Sequence, residues 1–139
     1  MEVKRILLVE DNPDDEMLAW RALTKSKIAS EMVVAHDGAE ALDYLFGPHN
    51  HPMPQVILLD LKLPKVTGLE VLQRIKSDAR TRLTPVVMLT SSLEERDVLE
   101  SYRLGANSYI VKPVDFEQFV DALRQLGQYW LLLNQLPGQ

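Results

Sequence analysis

The stretch Val56-Ile-Leu-Leu-Asp-Leu-Lys-Leu-Pro64 decides how the chain is read. Four consecutive apolar residues with no polar alternation are what a strand covered on both faces looks like. The run then stops at a carboxylate, Asp60. The same pattern recurs on either side. Arg5-Ile-Leu-Leu-Val9 runs into Glu10 and Asp11, Val86-Val-Met-Leu89 into Thr90, and Ser108-Tyr-Ile-Val111 into Lys112. Met32-Val-Val-Ala35 is a weaker fifth run.

Helical patterns fill the gaps. Asn12-Pro13 supplies a cap followed by Pro at the first helical position, with Asp14, Asp15 and Glu16 at the positive end of the dipole. Asp37-Gly-Ala-Glu40, Thr67-Gly-Leu-Glu70 and Ser92-Leu-Glu-Glu95 each fit a capping box, and Asp115-Phe-Glu-Gln118 is a looser version. Over Leu69–Ser77, the residues Leu69, Leu72 and Ile75 fall near one stripe that can cover a sheet. The order is thus strand then helix, five times. Strands joined by such crossovers are parallel, and right-handed crossovers on both faces give a doubly wound sheet. Five units suit a flavodoxin-like α/β sheet of order 2-1-3-4-5, since an eight-fold barrel needs roughly 250 residues. Residues 1–127 form one domain on this reading, and 128–139 a C-terminal extension whose Tyr129, Trp130 and leucines pack on the domain or on a second copy.

Composition narrows the function. The chain has 139 residues, 46% of them hydrophobic, and a net charge of −5. No basic cluster marks a nucleic-acid face. No apolar run approaches the length of a signal peptide or membrane span. The absence of cysteine excludes thiol chemistry and fits a reducing cytoplasm.

In a parallel α/β sheet, ligands bind outside the carboxyl ends of the strands. Glu10, Asp11, Asp60, Thr90 and Lys112 should therefore meet on one rim. Clustered carboxylates are costly unless a cation joins them, and hard oxygen ligands favour Mg²⁺. A Mg²⁺ beside Asp60 keeps that carboxylate anionic and neutralises an incoming phosphoryl group. Lys112 adds a positive charge and Thr90 a hydroxyl donor. The set suits transfer of a phosphoryl group to an aspartate.

Val9-Glu-Asp-Asn12, Leu59-Asp-Leu-Lys-Leu-Pro64 with Gly68, Leu89-Thr-Ser91 and Val111-Lys-Pro113 together resemble the response-regulator receiver domain of two-component signalling, over residues 4–127. The resemblance implies that Asp60 accepts the phosphoryl group from a sensor histidine kinase. It implies that Asp11 and Asp60 bind Mg²⁺ directly, Glu10 through water and Lys62 through its backbone carbonyl. Thr90 becomes the switch hydroxyl, Tyr109 the aromatic that moves with it, and Lys112 the phosphate-contacting lysine. The Lys112–Pro113 peptide is cis in that family, and the small Ser91 leaves room for the donor. Lys62 and Ser92, two residues beyond Asp60 and Thr90, line the path of attacking water and tune the lifetime of the acyl phosphate. The loop Phe46–Pro54, Leu63-Pro-Lys65 and the Tyr129/Trp130 tail are similar to the small stand-alone regulators that serve phytochromes. Those form homodimers through the surface of the fourth helix, fifth strand and fifth helix.

Other signals count for less. His49 and His51 read as surface loop, His36 as a solvated edge residue, and Trp20 as packing against the sheet. A Mg²⁺-dependent phosphatase with an aspartyl-phosphate intermediate is the competing reading; by resemblance to the haloacid-dehalogenase type it requires an acid-base Asp where Lys62 stands. A flavin or nucleotide domain lacks its Gly-rich turn, because the turn after the first strand reads Glu-Asp-Asn-Pro.

Overall fold

In the computed structural model, β1 (Lys4–Val9), β3 (Val56–Leu59) and β4 (Val86–Thr90) form the centre of a five-stranded sheet, with β2 (Ser30–Ala35) and β5 (Ser108–Val111) at its edges. Residues 4–27, 30–112 and 115–126 are described. The order is β2-β1-β3-β4-β5 and every pairing is parallel, as the sequence predicts.

Alternate residues of the strands feed two cores. Leu7, Val9, Ile57, Leu59, Val86 and Met88 point to one side, where α2 (Gly38–Phe46) and α3 (Gly68–Ser77) cover them with Ala41, Leu45, Val71, Leu72 and Ile75. Ile6, Leu8, Val56, Leu58, Val87 and Leu89 point to the other. There α1 (Pro13–Ser26) contributes Ala19, Ala22 and Leu23, and α5 (Phe116–Leu126) contributes Phe119, Val120 and Leu123. Each Val, Leu, Ile, Met or Phe side chain among these is worth about 1.5–3 kcal/mol when fully buried. This two-sided packing is why the strands read as unbroken apolar runs. Leu69 is half-buried at the rim of the α3 stripe, which centres on Val71, Leu72 and Ile75.

The caps follow the sequence with one exception. Asn12 accepts from the amides of Asp14 and Asp15, Asp37 from Glu40, Thr67 from Glu70, and Asp115 from Gln118. Ser92 does not cap a helix. The helix α4 (Glu95–Arg103) starts later, behind Glu94, which makes no side-chain cap bond. The Ser92 hydroxyl instead accepts from the Glu94 amide and donates to Asp97 Oδ2 at 2.6 Å. Trp20 also departs from expectation. It is 41% exposed, because the buried stripe of α1 runs through Ala19, Ala22, Leu23 and Ser26, and Trp20 lies about 100° further round. Its indole N–H donates to Glu16.

His49 is exposed, and His51 stacks on Tyr44 at 4.4 Å between ring centroids. His36 is exposed at the end of β2, 2.8 Å from Glu16 and 3.6 Å from Glu40. No helix among the described residues is long and apolar enough to cross a membrane. The extension 128–139 and Pro113, with the expected cis peptide, lie outside the described residues.

Candidate functional site

The strand register brings Glu10, Asp60 and Thr90 to one rim. Val9 pairs with Leu59, so Glu10 and Asp60 fall side by side, and Leu59 pairs with Met88, which sets Thr90 one residue further along than Asp60. The Asp60 amide donates to the Val9 carbonyl at 3.1 Å, and the Glu10 amide to Ala35 at 2.9 Å. Lys112 is tied in by its amide, which donates to Thr90 O at 2.8 Å. The loop after β3 folds back tightly at Gly68. A Cβ there would lie 2.2 Å from the Asp60 carbonyl, so only glycine fits.

Glu10 is 1% exposed, Asp60 7% and Thr90 0%, whereas Asp11 is exposed. One carboxylate oxygen each from Glu10, Asp11 and Asp60 lies within 4.8 Å of the other two. That is the only group of three or more acids, histidines or cysteines among the described residues that could hold a metal. Three converging hard oxygens beside an open cavity fit a divalent cation such as Mg²⁺ or Mn²⁺, which keeps some of its waters. The cavity, about 350 Å³, is lined by Asp11, Asn12, Asp15, Asp60, Lys62, Ser91 and Lys112.

Lys112 is the electrostatic keystone. Its Nζ donates to Glu10 Oε1 at 2.7 Å, Asp15 Oδ2 at 2.8 Å and Asp60 Oδ2 at 3.2 Å. Burial alone would lower its pKa. The hydrogen bonds to Asp15 and Glu10 and the charge of Asp60 outweigh burial and hold the ammonium above the ordinary lysine range. Glu10 moves upward, to about 7, because burial disfavours its charged form; the hydrogen bond from Lys112 opposes this and the Asp60 charge adds to it. The remaining Asp60 oxygen, Oδ1, accepts from the Lys62 amide at 3.3 Å.

A second group of contacts leads away from the pocket. The Ser92 amide lies 3.4 Å from Thr90 Oγ1, and the Tyr109 hydroxyl donates to the Ser92 carbonyl at 3.1 Å. Burial raises the Tyr109 phenol above its usual range, so it stays a donor. Ser92 therefore stands between Thr90, Tyr109 and the first turn of α4. Ser91 and Lys62 border the pocket; Ser92 is 4% exposed and is not among its lining residues.

Of the residues expected at the rim, Asp11, Asp60 and Lys112 line the cavity, Glu10 bonds Lys112 from beneath it, and Thr90 lies fully buried at the end of β4. Asp15 joins them, although the sequence presents it with Asp14 and Glu16 as a favourable helix start. It lies four residues before Ala19 and so continues the buried stripe of α1 toward the rim, which is the signal that could have singled it out.

Comparison with known proteins agrees with this geometry. Residues 6–124 match the response regulator receiver domain family. Response regulator Rcp1 of Synechocystis is 39% identical over 97% of this chain and 94% of its own length. Its Mn²⁺-bound crystal structure superposes with a TM-score of 0.85 at 38% identity, covering 97% of this chain and 99% of that one. The phosphorylated cyanobacterial phytochrome response regulator RcpA superposes with a TM-score of 0.88 at 41% identity, covering 99% and 100%. The bacteriophytochrome response regulator AtBRR does so at 0.74 with 54% identity, covering 97% and 100%. With the five-stranded order, the acidic rim and a family match over most of its length, the chain belongs to the response regulator receiver domains.

Proposed function

We propose that this protein is a phosphorylation switch whose acceptor is Asp60 and whose phosphoryl donor is a sensor histidine kinase of the phytochrome type. The observation that carries the reading is the convergence of Asp60 with Glu10, Asp11 and Lys112 on one rim. The likeness to RcpA and AtBRR supports the kinase class. A cytoplasmic location is part of the same reading.

An Asp60 oxygen attacks the phosphorus of a phosphohistidine, the P–N bond breaks, and the imidazole leaves and takes up a proton from water. The product is an acyl phosphate. Asp11 and Asp60 would hold Mg²⁺ directly, with Glu10 acting through water and Lys62 through its carbonyl, and the bound cation would supply charge neutralisation for the transferring group. Lys112 pairs with one phosphoryl oxygen, and the Thr90 hydroxyl turns to donate to another. Because Thr90 and Tyr109 both bond the Ser92 peptide, the turn is passed to α4, and the α4–β5–α5 face changes as a surface for partners or for a second copy. The exposed Leu99 and Tyr102 on α4 suit that role. The phosphatase reading lacks the acid-base Asp that it requires, because the exposed Lys62 stands two residues after Asp60.

Incubation with acetyl phosphate, with and without Mg²⁺, followed by intact mass and light scattering, tests this. The expected result is a Mg²⁺-dependent gain of one phosphoryl group that Asp60→Asn abolishes, with a change in oligomeric state. No adduct and no binding of beryllofluoride would refute the switch.

A further inference from the structure

An ammonium group has three N–H donors, and those of Lys112 face three carboxylates, at 2.7, 2.8 and 3.2 Å. Esterification of Asp60 removes its charge and releases the donor that faces it, but the phosphoryl group brings about two negative charges and three acceptor oxygens to the same ammonium, so it draws on a second donor as well, and that donor must leave Glu10 or Asp15. Glu10 is poorly suited to release it: it is 1% exposed and would keep only the Asn12 amide, at 3.3 Å, against its charge. Asp15 is different: its side chain is 33% exposed, so water can replace the ammonium when it leaves. Asp15 also stands outside the trio of carboxylates that could share a cation, although it lines the same cavity. It has no role as a metal ligand that would hold it there.

We propose that Asp15 is a positioning residue for Lys112. It anchors the ammonium at the mouth of the pocket in the resting protein, and it competes with the phosphoryl group for it. The reaction then includes an exchange: the Lys112–Asp15 bond breaks as the Lys112–phosphoryl bond forms. Asp15 thereby sets how readily donors load Asp60, and it restrains loading in the absence of a committed kinase. This inference rests on Asp60 being the acceptor.

The test compares the full chain with Asp15→Asn, which keeps size and an acceptor oxygen but removes the charge. Loading from acetyl phosphate with Mg²⁺ is timed by intact mass, and beryllofluoride affinity is measured by titration calorimetry. The Lys112 ammonium is followed by nitrogen-15 NMR and assigned by its loss in Lys112→Gln. Circular dichroism and thermal unfolding check that Asp15→Asn is folded. The expected result is loading and beryllofluoride binding both raised about fivefold, the weight of roughly 1 kcal/mol for a partly exposed charge pair. The hydrogen-exchange protection of the ammonium should fall in step. Unchanged or slower loading would overturn the proposal. So would faster loading with an unaltered ammonium signal, since the charge would then act without Lys112, and so would a parent ammonium that shows no protection. A parent that takes neither phosphoryl nor beryllofluoride would bring down the receiver reading itself, a result distinct from all of these.

Discussion

At the carboxyl end of β3 the chain changes character across a single peptide bond. Val56 to Leu59 are buried among other apolar groups on both faces of the sheet, while Asp60, almost as buried, faces two acids and one ammonium. The sheet interior stabilises the fold, and the rim costs stability when its carboxylates are charged. The two regions share the same strands, so the fold must supply enough burial in four residues to hold an unfavourable fifth in place.

The largest effect expected from testing this contrast lies in the interior. Ile57→Ala removes a fully buried side chain from the central strand and should cost about 2–5 kcal/mol, read by urea or thermal unfolding. A cost below about 1 kcal/mol would mean that the interior is looser than its burial implies. Asp60→Asn, three residues on, should leave metal-free stability unchanged or raise it, because it removes one of the facing charges.

A smaller effect should appear in the pH dependence. The Glu10 carboxyl sits at about 7 in the folded protein against 4.5 for an ordinary glutamate. Between those values the unfolded chain has released this proton and the folded one retains it, so stability falls as pH rises through the window. Without metal, the parent should lose about 2 kcal/mol between pH 4.5 and 7 relative to Glu10→Gln. Millimolar Mg²⁺ should flatten the curve by favouring the ionised form. A parallel pair of curves would show that Glu10 is already ionised and that the rim is not frustrated.

The interior was the legible part of the sequence. Parallel central strands must be apolar on both faces, and that alone marks β1, β3 and β4 within a residue. The edge strand β2 begins earlier than its apolar run, because Ser30 and Glu31 extend it by pairing with Lys4 and Arg5. The rim was legible residue by residue, since each polar group follows an apolar run directly. What stayed hidden were contacts between elements. Asp15 looked like one of three acids at a helix start, and Asp97 like one of many charges in α4, until the fold set them against Lys112 and Ser92. Trp20 reads as packing against the sheet, but its place on α1, beside the stripe of Ala19, Ala22 and Leu23, leaves it 41% exposed.

The finest contrast lies between two residues that the sequence treats alike. Lys62 and Ser92 each stand two positions past a functional residue, Asp60 and Thr90. Lys62 is exposed and borders the cavity, and on the proposed reading water reaching an acyl phosphate on Asp60 would pass it. Lys62→Ala should leave stability within about 0.5 kcal/mol of the parent and speed phosphate loss about threefold. Ser92 is buried, and its hydroxyl and peptide bond Asp97, Glu94, Thr90 and Tyr109. Ser92→Ala removes two of those bonds and should cost about 1 kcal/mol, with amide shifts spreading into the first turn of α4. Its effect on phosphate lifetime should come through the placement of α4 and Thr90, so Asp97→Asn should reproduce part of it. If Ser92→Ala speeds phosphate loss while the α4 resonances stay still, the residue acts on water as Lys62 does, and the route from Thr90 to the α4 surface must run elsewhere.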